Sequence, residues 1–232
     1  MRVAIIPARG GSKRIPRKNI KTFCGQPMLA YPIQAALNSG VVDKVVVSTD
    51  DAEIATIARH YGAETPFMRK PELADDFTGT TDVIRNAITE LQQLGWPLSS
   101  CACIYATTPL LDSERIAAAY QLLLSNQADY VFTAARFSFP IQRALLQTPQ
   151  GGVVPFDPAS IMRRSQDLAE TFHDAGQLYW ATADTWLDNG KAVFGTGSRM
   201  LLLPAHLVQD IDTVEDWQRA ELLYQLLQAP AQ

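Results

Sequence analysis

Short runs of apolar residues alternate along the chain with longer stretches in which apolar positions recur every three or four residues. Residues 3–6 read as a buried strand, broken by Pro7 and then by Gly10 and Gly11. In residues 28–38, Met28, Leu29, Ile33, Ala36 and Leu37 hold helical spacing before Gly40 closes the pattern. Pro32 stands against that helix, because proline past the first turn removes a needed N–H. Residues 44–49 form a short β-branched strand, and Asp50-Asp51 is placed to cap the helix carrying Ile54, Ala55, Ile57, Ala58 and Tyr61, stopped by Gly62. The same logic predicts a helix over 81–94, a strand over 101–105, a helix over 113–125 and a strand over 130–134. Strands separated by helices of this length imply right-handed crossovers and a mostly parallel sheet covered on both faces, an α/β fold.

Residues 137–170 interrupt the alternation with Pro140, Pro149, Gly151, Gly152, Pro155 and Pro158. We read this stretch as an insertion emerging from the sheet, so that residues 1–232 make a single domain. Strands are then expected at 177–181 and 200–203. Thr213 and Asp216 have capping-box spacing for a last helix.

Composition narrows the picture. A net charge of -4 with 19% charged residues gives no global bias towards nucleic acid, and Trp96, Trp180, Trp186 and Trp217 are not interleaved with basic residues as a stacking platform would need. No run of about 18 apolar residues predicts a membrane span, and the N-terminal apolar stretch is too short for a signal peptide, which makes the cytoplasm the expected location. Three cysteines, with Cys101 and Cys103 two apart in an apolar run, fit small core residues better than disulfides or a zinc site.

The strongest chemical signal follows the first strand. Pro7-Ala8-Arg9-Gly10-Gly11-Ser12-Lys13-Arg14-Ile15-Pro16-Arg17-Lys18-Asn19 joins glycines, whose N–H groups can converge on an anion, to five basic side chains. It leaves the carboxyl end of a strand, where open α/β sheets bind ligands. The spacing is neither that of a Walker loop nor that of a dinucleotide fingerprint. A triphosphate site, a merely solvated basic turn and a basic patch for nucleic acid all fit the residues. Near the other end, Asp210-Ile211-Asp212 would point both carboxylates to one side at a strand end and hold a hard cation, or would serve the start of the last helix.

The loop, with Phe23-x-Gly25-x-Pro27, Val47-Ser48-Thr49-Asp50-Asp51, Tyr105-Ala106-Thr107-Thr108-Pro109 and Asp210-Ile211-Asp212-Thr213, resembles the CMP-sugar-acid synthetases. That group includes the cytidylyltransferases for sialic acid, 3-deoxy-octulosonate and pseudaminic acid. Residues 163–168 and 172–177 look like the pseudaminic acid branch. Where the sialic branch carries arginine, proline and asparagine before a glycine, this chain has His173, Asp174 and Ala175.

The resemblance implies a Rossmann-like three-layer nucleotidyltransferase using CTP and Mg2+ on a nine-carbon acidic sugar. Pseudaminic acid is the expected acceptor, with sialic or legionaminic acid, or a silent nucleotide-binding domain, as rivals. It implies a homodimer with residues 137–170 as a dimerisation segment near the neighbour's site. Arg9, Lys13, Lys18 and Asp212 are then expected to act on the phosphates. Ala8, Gly10, Gly11, Ser12, Asn19, Tyr105 and Thr107 are expected to line the nucleotide, and Asp210 and Asp212 to hold the metal. Arg143, Arg163, His173 and Gln177 are expected to meet the sugar, although exposed ion pairs for the arginines and a structural role for His173 suit the sequence as well.

Overall fold

The computed structural model describes residues 1–75 and 77–229. Its centre is a six-stranded sheet. The strands are β1 (Arg2–Pro7), β4 (Lys44–Ser48), β5 (Ser100–Ile104), β6 (Val131–Arg136), β9 (Phe172–Thr182) and β10 (Arg199–Leu202), in the order β10-β6-β9-β5-β1-β4. Neighbours are parallel except at β9, which runs antiparallel between β5 and β6. The reason is the excursion before it. The chain leaves the carboxyl edge at Arg136, stays outside the sheet through the hairpin β7 (Leu145–Gln147) and β8 (Val153–Pro155), and re-enters from the same edge. No helix carries it back to the opposite end, so the returning strand must run the other way.

Both faces are covered. On one, α1 (Ala30–Leu37), α2 (Ala52–His60) and α4 (Ser113–Asn126) pack Ile33, Ile54, Ala58, Ile116 and Leu123 against Ala4, Ile6, Val45, Val47 and Trp180. On the other, α3 (Thr80–Gln93) and α5 (Ala183–Leu187) pack Ile84, Ile88, Leu91 and Trp186 against Val3, Ile5, Val46, Cys101 and Cys103. The two cysteines thus share one face, as their spacing requires. Pro32 is the third residue of α1, in the turn whose N–H groups have no intrahelical partner, so it does not delay the helix.

A third, smaller cluster decides where the site forms. The two-residue turn between β2 (Thr22–Phe23) and β3 (Gln26–Pro27) has positive φ at both Cys24 and Gly25, as a type I′ hairpin demands. It presents Phe23 to Tyr31, Trp217 and Tyr224, the last two from α6 (Val214–Gln228), with edge-on rings 5.4, 5.4 and 5.7 Å away. Ile15 and Ile211 are buried in the same cluster. The last helix is thereby docked against the first loop, with its start fixed by a complete Thr213/Asp216 capping box.

Candidate active site

The carboxyl ends of β1 and β5 deliver their following loops to one cleft of about 310 Å³. The loop after β1 lies against the acid pair that ends β4. Gly10 N–H donates to Asp50 Oδ1 at 2.9 Å, and a Cβ on Gly10 would meet Asp51 Oδ2 at 2.8 Å. Asp51 caps α2 by accepting from the Glu53 and Ile54 N–H groups, and it also accepts from the Arg17 guanidinium, which reaches Glu53 as well. The Arg17 hydrogen bond is the main reason the Asp51 carboxyl is held down to about 2. Arg17, at φ 55, is therefore spent on shaping the loop. Asn19 completes the clasp by donating to the Arg9 carbonyl at 2.9 Å, while the Arg9 guanidinium donates to the Asp75 carbonyl.

The C-terminal acids arrive from the opposite side. Burying Ile211 beside Ile15 turns Asp212 towards the loop, where it pairs with Arg14 at 2.9 Å and Lys18 at 3.3 Å. Lys18 also donates to the Ile211 carbonyl at 2.5 Å. The sequence suggested a strand end here, and the structure corrects that. Residues 210–212 lie in irregular chain between a short turn at Ala205–Leu207 and α6, and burial of Ile211, not strand alternation, sends its two neighbours outwards. The Asp210 carboxyl is raised, first by desolvation and then by the charge of Asp212.

Of the residues singled out from the sequence, Arg9, Ser12, Lys13, Lys18, Asn19, Tyr105, Thr107 and Asp212 line this cleft together. Ala8 is fully buried and spends its N–H on the Ser48 carbonyl at 2.9 Å. Gly10 and Gly11 contribute backbone to the adjoining loop. Arg143, Arg163, His173 and Gln177 stand elsewhere. Arg143 donates to Ser165 Oγ at 3.2 Å and Arg163 to the Asp167 carbonyl at 2.6 Å, both on the excursion between β6 and β9. His173 packs on Phe137 with ring centres 4.9 Å apart. Gln177 is buried and donates to the Leu207 carbonyl at 2.7 Å, tying β9 to the segment that precedes the acid pair.

Two lining residues, Arg69 and Thr80, had no signal in the sequence, and a third, Arg14, was not set apart from its neighbours. Arg69 is buried under the cleft, its Nε on Ser48 Oγ at 3.1 Å, and burial pushes its guanidinium down to about 10. Nothing about Met68-Arg69-Lys70 marks it beforehand. Arg14 was only one loop charge among five until Asp212 was seen beside it. Thr80 opens α3 and exchanges a hydrogen bond with the Tyr105 hydroxyl at 3.2 Å. Thr80 and Tyr105 also border a second cavity of about 490 Å³, walled by Tyr130, Tyr179, Trp186, Val193 and Phe194 with Asp174 among them. Among the described residues no group of three histidine, cysteine or acidic side chains is placed to hold a metal by itself.

A basic loop stands at the carboxyl edge of a three-layer α/β sheet, faced by a carboxylate, and residues 3–191 match the model of the Cytidylyltransferase family. The chain belongs to that family. It is 45% identical over 224 residues to the pseudaminic acid cytidylyltransferase of Campylobacter jejuni serotype O:2, covering 97% of this chain and 96% of that one. It is 31% identical to the CMP-N,N'-diacetyllegionaminic acid synthase of Legionella pneumophila, with 97% of each chain covered. Among solved structures, CMP:2-keto-3-deoxy-manno-octonic acid synthetase complexed with CTP shares the fold at a TM-score of 0.73 and 16% identity, covering 97% of this chain and 99% of that one.

Proposed function

We propose that this chain transfers the cytidylyl group of CTP to the anomeric hydroxyl of a nine-carbon 2-keto sugar acid, pseudaminic acid, releasing the CMP-sugar and pyrophosphate. The observation that carries the reading is the convergence of Arg14, Lys18 and Asp212 at the mouth of the glycine-and-arginine loop. The acceptor rests on the high identity to the Campylobacter relative along almost the whole chain.

In this reading the triphosphate lies in the loop, and the cytidine faces Tyr105 and Thr107. The acceptor hydroxyl attacks the α-phosphorus in line, an oxygen–phosphorus bond forms, and the bond to the β-phosphate oxygen breaks. Such a transfer asks the protein for positioning and charge neutralisation. Arg9, Lys13 and Lys18 supply donors to oxygens that gain charge, each worth on the order of 3 kcal/mol, about a hundredfold in rate. Asp212 and Asp210 fit Mg2+, an ion that takes one or two carboxylates and completes its shell with phosphate oxygens and water. When bound there, the ion would neutralise phosphate charge and acidify the attacking hydroxyl.

The same reading includes a homodimer at work in the cytoplasm. On the excursion between β6 and β9, Phe139, Val153, Phe156 and Met162 are exposed apolar side chains that a second copy would cover. Arg143 and Arg163 would then meet the sugar carboxylate of the neighbouring site.

The experiment is pyrophosphate release from CTP with Mg2+ and a panel of pseudaminic, N,N'-diacetyllegionaminic and N-acetylneuraminic acids. Pseudaminic acid is expected to give the highest kcat/KM. No release with any of the three acids would end the proposal, and a strong preference for another acid would replace the acceptor.

A further inference from the structure

The second cavity is built around an irregularity in β9. Along the pairing of β6 with β9, Ala134 faces Asp174 and Phe132 faces Tyr179, so four β9 residues lie between positions that span one on β6. Gly176 sits within this bulge at φ 63, in the left-handed region, and Thr133 Oγ1 fills it by accepting from Leu178 N–H at 3.2 Å. In a regular strand, residues five apart point to opposite faces. The bulge cancels that parity. The Tyr179 hydroxyl donates to Asp174 Oδ2 at 2.5 Å, and Gly176 N–H donates to Asp174 Oδ1 at 3.1 Å. Both oxygens retain a further lone pair, and both residues line the cavity. Bulges of this kind re-aim side chains next to functional sites.

Apart from the Thr81 hydroxyl, the rest of the wall is apolar or already committed. Tyr130 donates its hydroxyl to the Thr185 carbonyl at 3.1 Å, Trp186 donates to the Cys101 carbonyl at 3.0 Å, and Lys191 pairs with Asp129. Phe194 leans on Phe132 with ring centres 5.1 Å apart. The cavity therefore offers one acidic acceptor within an aromatic and aliphatic cup. It adjoins the nucleotide cleft through Thr80 and Tyr105, and the Tyr105 and Tyr179 rings lie 5.5 Å apart. A group that suits it carries an N–H donor beside a methyl, as an acylamino substituent does.

We propose that Asp174, aimed by the Gly176 bulge and steadied by Tyr179, selects the acceptor by taking the N–H of an acylamino substituent while the acyl methyl packs against Phe194 and Trp186. The proposal rests on the reading of the chain as a transferase to a sugar acid and adds which feature of the acceptor this protein recognises.

The test uses the full chain, CTP, Mg2+, pseudaminic acid, and pseudaminic acid with its acetamido groups replaced by hydroxyls. Asp174→Asn removes the charge and the double acceptor at nearly constant volume. We expect the KM for pseudaminic acid to rise about 10- to 100-fold, as for loss of a charge-assisted hydrogen bond to a neutral donor, and the preference over the hydroxyl analogue to shrink by a similar factor. The KM for CTP should hold within twofold. Tyr179→Phe, which frees the carboxylate without removing it, should raise the same KM by a smaller factor. If Asp174→Asn does not fold, Tyr179→Phe alone decides, through the same KM and the same preference. Unchanged acceptor KM and preference in the folded variant would overturn this inference while leaving the transferase reading intact. A wild-type chain that turns over no sugar acid would bring down both.

Discussion

Asp51 shows how much one side chain carries in this site. It caps a helix, holds Arg17 and sets the depth at which Gly10 can lie. Its carboxyl titrates at about 2 in the folded chain against an ordinary 3.8, so the folded chain binds that proton less tightly than the unfolded one. Its contribution to stability is complete above pH 4 and is lost as pH falls towards about 2. With its side chain 21% exposed, that contribution should be on the order of 1–2 kcal/mol after screening. Asp51→Asn keeps an acceptor for the cap but not the charge. Thermal unfolding from pH 2 to 7 should show the wild type losing its advantage over the variant between pH 4 and 2. Two curves that stay parallel over that range would remove this role. At this scale the sequence was a fair guide to charge and a poor one to partnership. Arg17 was one basic side chain among the five of the loop and is engaged with Asp51 and Glu53, while Arg69 gave no sign of itself because burial, which makes it unusual, is a property of the fold.

Among the elements, the alternation of apolar runs and helical periods placed every parallel strand and its following helix to within a residue or two. A buried parallel strand and an amphipathic helix each write their environment into local pattern. α5 and the two short hairpins were not predicted, and two further features did not follow from pattern. The direction of β9 depends on where the chain stands after the excursion from β6, which no local period encodes. The bulge in β9 depends on a single glycine that in sequence could equally have ended the strand, and residues 172–176 were accordingly left outside the strand expected at 177–181. The acid pair was expected at a strand end because alternation is the usual way to aim two carboxylates together. Here burial of Ile211 in the third apolar cluster aims Asp212 at the loop, and Asp210 is not among the residues lining the cleft.

At the scale of the molecule, the last helix and the first loop meet although some 200 residues lie between them, because Phe23, Ile15, Ile211 and Trp217 share one core. That core holds Asp212 over Lys18 and Arg14 before any nucleotide arrives. The exposed apolar excursion belongs to this scale too. Light scattering should give a particle of twice the chain mass, and a monomer at micromolar concentration would detach Arg143 and Arg163 from the proposed chemistry. The convergence itself has a direct thermodynamic signature. In the proposed reading, Asp212 would compete with the triphosphate for Lys18 and Arg14 when no divalent ion is present, and with Mg2+ its charge would have a cation to hold. Calorimetric titration of CTP into the wild type and Asp212→Ala, each with and without Mg2+, measures this. The wild type should bind CTP about 10-fold or more tightly with Mg2+, and the variant should lose that gain while binding metal-free CTP at least as well as the wild type. An equal Mg2+ enhancement in both proteins would contradict the account.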